Sequence, residues 1–403
     1  MTVRAVHVPN EPVDLVRLDE VQCVVGNPQL RSAWRDDLAG AYVPQLMASL
    51  MGREGEAVRG VSDDNRSALL TDIRHSIGER EFFVSIKGCG AEFDAYTHQR
   101  LSAPVLEGIC HDQHTRAELA LRANGSARFI TGERWYGHSP YGAQAPDNAL
   151  LALLASLRAD GDSIAGFHIC PLVAAVRLPQ EVERMASRFY WYRRYDGAYW
   201  QEVRLMPSNL RLYFQSPVTF GMHTEVAFAM FHLTSKGECE RFLENLCRSS
   251  VAALTLYART LRHDPWRGGY LGLDLHDVWL DKDAVIAPDG TLHFADLEGV
   301  EDVRSADAEQ AKERMRWQFF RHMYEVGFAL EAMAAQVERF LALGWGRRER
   351  RAWLMEAMER TSRLDGFARA ERRGDGMVLI VEPAVDAAEL YQEFELYSEV
   401  GDG

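Results

Sequence analysis

Residues 271–302 read LGLDLHDVWLDKDAVIAPDGTLHFADLEGVED and carry most of the information about the fold. The apolar runs AVIA and LHFA flank the sequence PDG at 288–290. Turn residues between two apolar runs predict a β-hairpin. The two ends of a short hairpin lie close together, so Asp283 before the hairpin and Asp296 after it are expected to be neighbours.

Two neighbouring carboxylates suit a magnesium ion, which usually takes one or two carboxylates together with substrate phosphates. Asp283 and Asp296 are therefore the candidate metal ligands. A further carboxylate can take the proton of an accepting hydroxyl. Asp277 is the first candidate for this base, with Asp274 and Asp281 as alternatives. The alternative interpretation of the whole stretch is a surface hairpin with solvated acids at its ends.

The order of elements in this stretch resembles the catalytic segment of protein-kinase-like enzymes. There, a long helix and a loop with an acid lead through a hairpin to Asp-Phe-Gly. The resemblance implies a two-lobed fold that uses ATP and Mg²⁺. This chain departs from the pattern at three places. Asp283 stands where asparagine is usual, Leu-Glu-Gly follows Asp296, and Val278 stands where the catalytic aspartate is usual.

A candidate phosphate-binding segment lies in the first half of the chain, in REFFVSIKGCG at 80–90. Its apolar run predicts a buried strand that ends at Lys87. Gly88 and Gly90 follow, and glycines let backbone N–H groups approach phosphate oxygens. Lys87 can contact the same phosphates. The alternative is a strand-end lysine beside a turn.

The segment IKGCG followed by EGICHDQHTRAEL resembles the selenoprotein O family. In that family a Lys-Gly-x-Gly segment precedes an acidic-Gly turn and a helix with Arg-Glu. The spacing from the EG turn at 107–108 to Glu118 is that of the family, and Ile109 and Gln113 stand where the family has arginines. These enzymes have a kinase-like fold and transfer AMP to proteins. The resemblance implies that Glu118 holds Lys87 on the nucleotide, and it leaves phosphoryl and AMP transfer both open.

A basic segment at 189–214, FYWYRRYDGAYWQEVRLMPSNLRLYF, interleaves arginines with aromatic residues. Guanidinium groups match phosphate oxygens, so Arg204 is a further candidate contact for the nucleotide. Arg193, Arg194 and Arg211 have the same chemistry. Contact with single-stranded nucleic acid is one alternative. An ordinary strand pair with arginines on its wet face is another.

The composition of the 403 residues, with 47% hydrophobic and 26% charged, is typical of a soluble protein large enough for two lobes. The net charge of −14 argues against a general nucleic-acid binder. The N-terminal sequence lacks an apolar signal-peptide core and no apolar run has membrane length, which leads us to expect a cytoplasmic protein. The strong excess of arginine over lysine indicates a GC-rich bacterial genome.

Periodicity predicts helices in ALLALLASLRADG and in ECERFLENLCRSSVAALTLYARTLRHD. The sequence also predicts paired strands in AGFHICPLVAAVRLP, two strands in AYWQEVRLMPSNLRLYFQS with a break at PSN, and a late strand in GMVLIVEP. We therefore predict an α+β protein with a two-lobed protein-kinase-like fold. A helical preface would cover residues 1–75, a strand-rich nucleotide-binding lobe 76–216, and a mainly helical lobe 217–403.

The predicted function is ATP- and Mg²⁺-dependent transfer of a phosphoryl or nucleotidyl group to a protein, a peptide or a small molecule. One alternative is a pseudokinase, which would act as a binding or regulatory module without catalysis. Another is an enzyme of unrelated fold.

Overall fold

The computed structural model describes most of the first 89 residues and several later segments of the chain. The described residues are 3–7, 12–33, 40–50, 52–64, 67–89, 146–164, 167–186, 199–210, 231, 233–260, 284–297, 342, 344, 346, 348–349, 352–353, 356, 368–373, 376–381 and 393–395. They combine one large antiparallel sheet with two smaller sheets and a few helices. This mixture is compatible with the predicted α+β class.

The strands of the described residues run along the chain as follows: β1 (Pro12–Leu18), β2 (Cys23–Gly26), β3 (Ala41–Pro44), β4 (Ala57–Asp64), β5 (Ser67–Ile77), β6 (Arg80–Lys87), β7 (Ser163–Ile164), β8 (Phe167–Ile169), β9 (Leu172–Arg177), β10 (Trp200–Met206), β11 (Ala284–Ile286), β12 (Leu292–Phe294), β13 (Ala368–Arg373), β14 (Gly376–Val381) and β15 (Glu393–Glu395). The α-helices are α1 (Gln45–Leu50), α2 (Pro146–Ser156), α3 (Gln180–Ala186) and α4 (Lys236–Thr260), and a 3-10 helix spans Pro28–Ala33.

The chain divides into two compact units. The sheet unit comprises Pro9–Leu157 and Pro171–Met206. The hairpin unit comprises Met1–Val8, Arg158–Cys170 and Pro207–Gly403. Each unit is therefore built from separate stretches of sequence, whereas the predicted segments were consecutive, with boundaries after residues 75 and 216.

The predicted helical preface over residues 1–75 is wrong, because strands β1 to β4 and most of β5 lie in it. Residues 32–51 have helix-like spacing, but α1 covers only six of them. Residues 41–44 instead form β3, which pairs with β1 from Leu15 to Leu18. Pairing with a distant strand outweighs the weak local preference of so short a segment.

The large sheet of the sheet unit has the order β2-β9-β10-β6-β5-β4-β1-β3. The predicted strand in REFFVSIK is confirmed as β6, at the centre of this order. Val84 of β6 and Val203 of β10 lie in the same apolar core as Tyr42 of the edge strand β3. The Tyr42 backbone N–H donates to Gln201 Oε1 of β10 at 2.9 Å. The sheet therefore curls around its apolar face.

The predicted helix in ALLALLASLRADG is confirmed as α2, which packs against β9 and β10. The prediction that AGFHICPLVAAVRLP forms a pair of strands is wrong, because β8 and β9 join different sheets. β9 pairs with β2 and β10, and β8 pairs with β7 and β12. Pro171 separates them, since it has no N–H for a sheet ladder. The Cys170 N–H still donates to Phe294 O at 2.7 Å, at the end of the smaller sheet.

The predicted hairpin at 284–296 is confirmed in the hairpin unit, where β11 pairs with β12 in antiparallel register. At the turn, the Gly290 N–H donates to Ala287 O at 2.9 Å, and Gly290 has a φ of 87°. β12 also pairs in parallel with β8, which gives a four-stranded sheet of order β11-β12-β8-β7. Helix α4 packs against β8 and β12.

A third sheet contains β13, β14 and β15, and the predicted strand in GMVLIVEP is confirmed as β14. None of the helices in the described part of the chain has the length and apolar character of a membrane span.

Helix α4, which covers the described part of the long predicted helix, begins with a reciprocal cap. The Glu238 N–H donates to Ser235 Oγ at 3.3 Å, and the Ser235 N–H donates to Glu238 Oε2 at 3.0 Å. The Thr234 N–H donates to the same carboxylate oxygen at 3.0 Å. This is a capping box, which satisfies N–H groups that have no partner inside the helix. The hydrogen bond from the Thr234 N–H, followed by those of the Ser235 and Thr234 hydroxyls, lowers the pKa of Glu238.

We predict that Glu238→Gln reduces the loss of stability on acidification. A carboxylate whose pKa is lowered by folding contributes stability above its unfolded pKa, and this contribution disappears as the pH falls through the folded pKa. Urea unfolding at pH 7, 5 and 3 should therefore show a shallower pH dependence in Glu238→Gln than in the wild type. Glu240→Gln, two residues further along α4, is the control and should stay close to the wild-type slope, because its solvent-accessible ion pair with Lys236 contributes little. Equal slopes in all three proteins would contradict the capping role.

Candidate functional site

The sheet face opposite the apolar core carries buried polar side chains at its centre. Lys87 and Ser85 are alternate residues of β6, and Glu202 and Arg204 are alternate residues of β10. The register pairs Glu202 with Lys87 and Arg204 with Ser85. Directly opposed residues of antiparallel strands project from the same face. These four side chains therefore form one polar cluster, and each is fully buried, with a relative exposure of 0%.

Lys87 forms a buried ion pair in this cluster. Its Nζ lies 3.9 Å from Glu202 Oε1. Charges inside a protein attract each other more strongly than in water, but removing them from water costs several kcal/mol per ion. Each of the two buried charges is therefore stabilised by the other. Through this ion pair, Glu202 of β10 positions Lys87, the last residue of β6.

Arg204 extends the cluster over a third strand. Its Nη2 donates to Ser67 Oγ at 3.2 Å, and Ser67 lies on β5, on the far side of β6. Ser67 is itself the register partner of Lys87. The guanidinium thus reaches across β6 in the neighbourhood of Lys87. The cluster thus offers an ammonium and a guanidinium group, the two side-chain cations that bind phosphate groups in proteins.

Gly88 turns the chain immediately after Lys87. Its φ of 93° lies in the left-handed region, which glycine adopts without steric cost. Its carbonyl oxygen accepts a hydrogen bond from Gln201 Nε2 at 2.9 Å. Gln201 belongs to the apolar side of β10 and also bonds to the backbone of Tyr42. The start of the loop after Lys87 is therefore fixed by the core beneath it.

Asp296 is the predicted metal ligand that the structure describes. It follows β12 in the hairpin unit, and its relative exposure is 9%. Its neighbours Ala295 and Leu297 are fully buried. Asp296 therefore comes shortly after a buried strand, as the apolar run before it predicted. The other predicted site residues, Gly90, Glu118, Asp274, Asp277 and Asp283, lie outside the described residues.

The structure brings Lys87 and Arg204 together, although they are distant in sequence and were predicted from separate motifs. The predicted partner of Lys87 was Glu118, and the carboxylate found beside it among the described residues is Glu202. Sequence reasoning missed Glu202. The signal was present in WQEVRLM, where two charged residues with strand spacing, Glu202 and Arg204, interrupt an otherwise apolar strand.

The hairpin unit contains a second polar cluster, which was not predicted from the sequence. Asp162, His168 and His293 each offer one ligand atom, and these atoms lie within 4.8 Å of one another. His293 belongs to the predicted hairpin, whereas the other two residues come from the segment around β7 and β8. No short sequence motif links residues so far apart.

Comparisons of this chain with family models, curated proteins and solved structures gave no match.

Proposed function

We propose that this protein is an ATP- and Mg²⁺-dependent transferase with a two-lobed, protein-kinase-like fold. It moves a phosphoryl or nucleotidyl group to an acceptor, which is a protein, a peptide or a small molecule. The observation that carries the proposal is the buried polar cluster on the central strands of the sheet unit. There, the ammonium of Lys87 and the guanidinium of Arg204 lie on the same face of the sheet beside Glu202, where strand β6 runs into Gly88.

In this proposal the nucleotide phosphates contact Lys87 and Arg204, and the backbone of Gly88 and Gly90. Glu202 is a positioning residue for Lys87, and Glu118 is the alternative that the family resemblance implies. Magnesium, held by Asp296 together with Asp283, would neutralise charge on the transferring group. Asp277, or else Asp274, accepts the proton of the acceptor hydroxyl.

Thermal unfolding with ATP and Mg²⁺ tests the proposal. A ligand at about 100 times its dissociation constant stabilises the folded state by roughly 2.7 kcal/mol. This corresponds to a rise in Tm of several degrees, at roughly 2–4 °C per kcal/mol for a domain of about 150–250 residues. We expect a Mg²⁺-dependent rise in the wild type, and its loss in Lys87→Met and in Asp296→Ala.

Asp160→Ala is the matched control, because Asp160 is an exposed aspartate of the hairpin unit and is not part of the proposed site. It should keep the wild-type rise in Tm. No rise with any nucleotide in the wild type would reject the proposal. A rise that persists in Asp296→Ala would reject the assignment of that residue as a metal ligand.

A second candidate function is that of a pseudokinase, a kinase-shaped binding or regulatory module without catalysis. The complete burial of Lys87 and its ion pair with Glu202 favour this candidate, because a lysine paired in this way can have a structural role in the sheet without taking part in catalysis. The two candidates are distinguished by the transfer of labelled phosphoryl or AMP from ATP to an acceptor, with formation of ADP or pyrophosphate, and by the dependence of this turnover on Asp296. Turnover that Asp296→Ala abolishes would exclude the binding module.

A further inference from the structure

The backbone around Asp162, His168 and His293 is held by strand pairing. His168 of β8 and His293 of β12 are direct register partners in the parallel pair. The Ile169 N–H donates to Asp162 O at 2.9 Å, and an Asp160–Ser163 bridge closes the turn around Asp162. The three side chains are therefore gathered by regular structure. Sites on rigid elements are more precise than sites on loops.

The distance between Asp162 and His168 fits two ligands of one ion. Asp162 Oδ2 lies 3.4 Å from His168 Nδ1. A good N–H···O hydrogen bond is shorter, at about 2.7–3.2 Å. Two ligand atoms at tetrahedral angles, each about 2.0–2.1 Å from a zinc ion, are separated by about 3.3–3.4 Å. These two atoms thus already lie at the separation that two ligands of one ion require, before any ring moves.

His293 has the surroundings of a metal-binding histidine. Its Nδ1 lies 3.3 Å from Ile169 O, and its Nε2 lies 3.3 Å from Thr291 Oγ1. The hydroxyl proton of Thr291 goes to Asp289 Oδ1 at 2.6 Å, so this hydroxyl does not donate to Nε2. A histidine that binds a metal through one ring nitrogen usually donates the other N–H to a carbonyl or carboxylate. In the tautomer whose proton is on Nδ1, Nδ1 donates to Ile169 O, and Nε2 is the ligand atom that exchanges its contact with Thr291 Oγ1 for the ion.

Ion binding requires one ring to move. The imidazoles of His168 and His293 are stacked, with centroids 4.9 Å apart and an angle of 22° between the rings. The lone pair of a ring nitrogen lies in the ring plane, so two stacked rings do not point at one ion. His293 is fully buried, whereas the side chain of His168 is 28% exposed. His168 is therefore the ring that turns towards the ion.

The ligand set selects the ion. Imidazole suits zinc and other transition metals, whereas magnesium prefers oxygen ligands alone. Three protein ligands leave a fourth position for water, as in catalytic zinc sites. Asp162 is 15% exposed and gives access from solvent beside His168. We propose that Asp162, His168 and His293 bind a transition-metal dication, with zinc as the preferred ion. This inference does not depend on the proposed nucleotide chemistry.

Isothermal titration of the full chain with Zn²⁺, without nucleotide, tests the site. We expect that His168→Ala and Asp162→Asn each remove a Zn²⁺-binding event that the wild type shows. Loss of a partner that only orients a ligand weakens metal binding by about 10–100-fold, so loss of a ligand should weaken it at least that much. Both residues are partly exposed, which favours a folded variant. Circular dichroism checks this.

His75→Ala is the matched control, because His75 lies on β5 in the sheet unit and should leave Zn²⁺ binding unchanged. Titration with Co²⁺ gives a second readout, since its visible absorption reports coordination by nitrogen. That absorption should weaken in His168→Ala and not in His75→Ala. The proposal is overturned if the wild type binds no Zn²⁺, or if folded His168→Ala and Asp162→Asn bind it with wild-type affinity.

Discussion

Glu202→Gln is expected to lower the free energy of unfolding by about 3–5 kcal/mol, the usual result when one partner of a buried ion pair is removed. Lys87 and Glu202 are both fully buried, and Nζ and Oε1 are 3.9 Å apart. Glutamine keeps the shape of the side chain but removes its charge, so the ammonium of Lys87 stays buried without this counter-charge. Urea unfolding monitored by tryptophan fluorescence measures the loss.

Three further variants make this result specific. Glu81→Gln breaks an ion pair with Arg74 in the same sheet, at 3.0 Å but partly exposed, and should cost about 1 kcal/mol or less. The double variant Lys87→Met/Glu202→Leu should recover most of the stability, because an apolar pair of similar volume often replaces a buried ion pair without loss. Glu118→Gln tests the alternative partner. If Glu118→Gln costs several kcal/mol and Glu202→Gln costs little, Glu118 is the residue that holds Lys87.

Gly290→Ala is expected to cost about 2–6 kcal/mol, because two effects combine in the turn of the hairpin. Gly290 has a φ of 87°, where a residue with a Cβ is strained by roughly 1–3 kcal/mol. A Cβ at this position would also overlap the backbone carbonyl oxygen of Phe242 in helix α4. Overpacking of this kind typically costs another 1–3 kcal/mol. Thermal or urea unfolding measures the sum.

Gly78→Ala is the matched control for Gly290→Ala. Gly78 lies in the β5–β6 turn with a φ of 57°, but a Cβ there would meet no atom within 4 Å. Only the backbone strain remains, so we expect a loss of about 1–2 kcal/mol. If the two substitutions cost the same, the close approach to Phe242 has no energetic consequence.

Gly290→Ala also bears on the proposed function. The backbone of the turn is bound to helix α4, because the side chain of Asn245 donates a hydrogen bond from Nδ2 to Asp289 O at 2.8 Å. Displacement of the turn would disturb the strand that leads to Asp296. In a variant that remains folded, the Mg²⁺-dependent rise in Tm with ATP should therefore be reduced. Gly78→Ala should keep it.

Local pattern was sufficient for several elements. The apolar run before Lys87 predicted β6, and the turn sequence PDG predicted the hairpin of β11 and β12. Helices α2 and α4 followed from their periodicity. These signals act within about ten residues, because turn chemistry and side-chain alternation are properties of neighbouring residues. The same local reasoning failed over residues 1–75, where helix-like spacing in a short segment was outweighed by strand pairing.

The sequence by itself therefore determined that Lys87 is the last residue of a strand and that Asp296 follows the hairpin. Only the tertiary structure decided that Glu202 lies beside Lys87, and that Asp162 and His168 join His293. Those neighbours depend on which strands pair and in what register. Register shifts by one residue reverse the face of every side chain. The pairing of β6 with β10 and of β8 with β12 is selected by the packing of whole sheets, so the residues around the two candidate sites could not be read from any one segment.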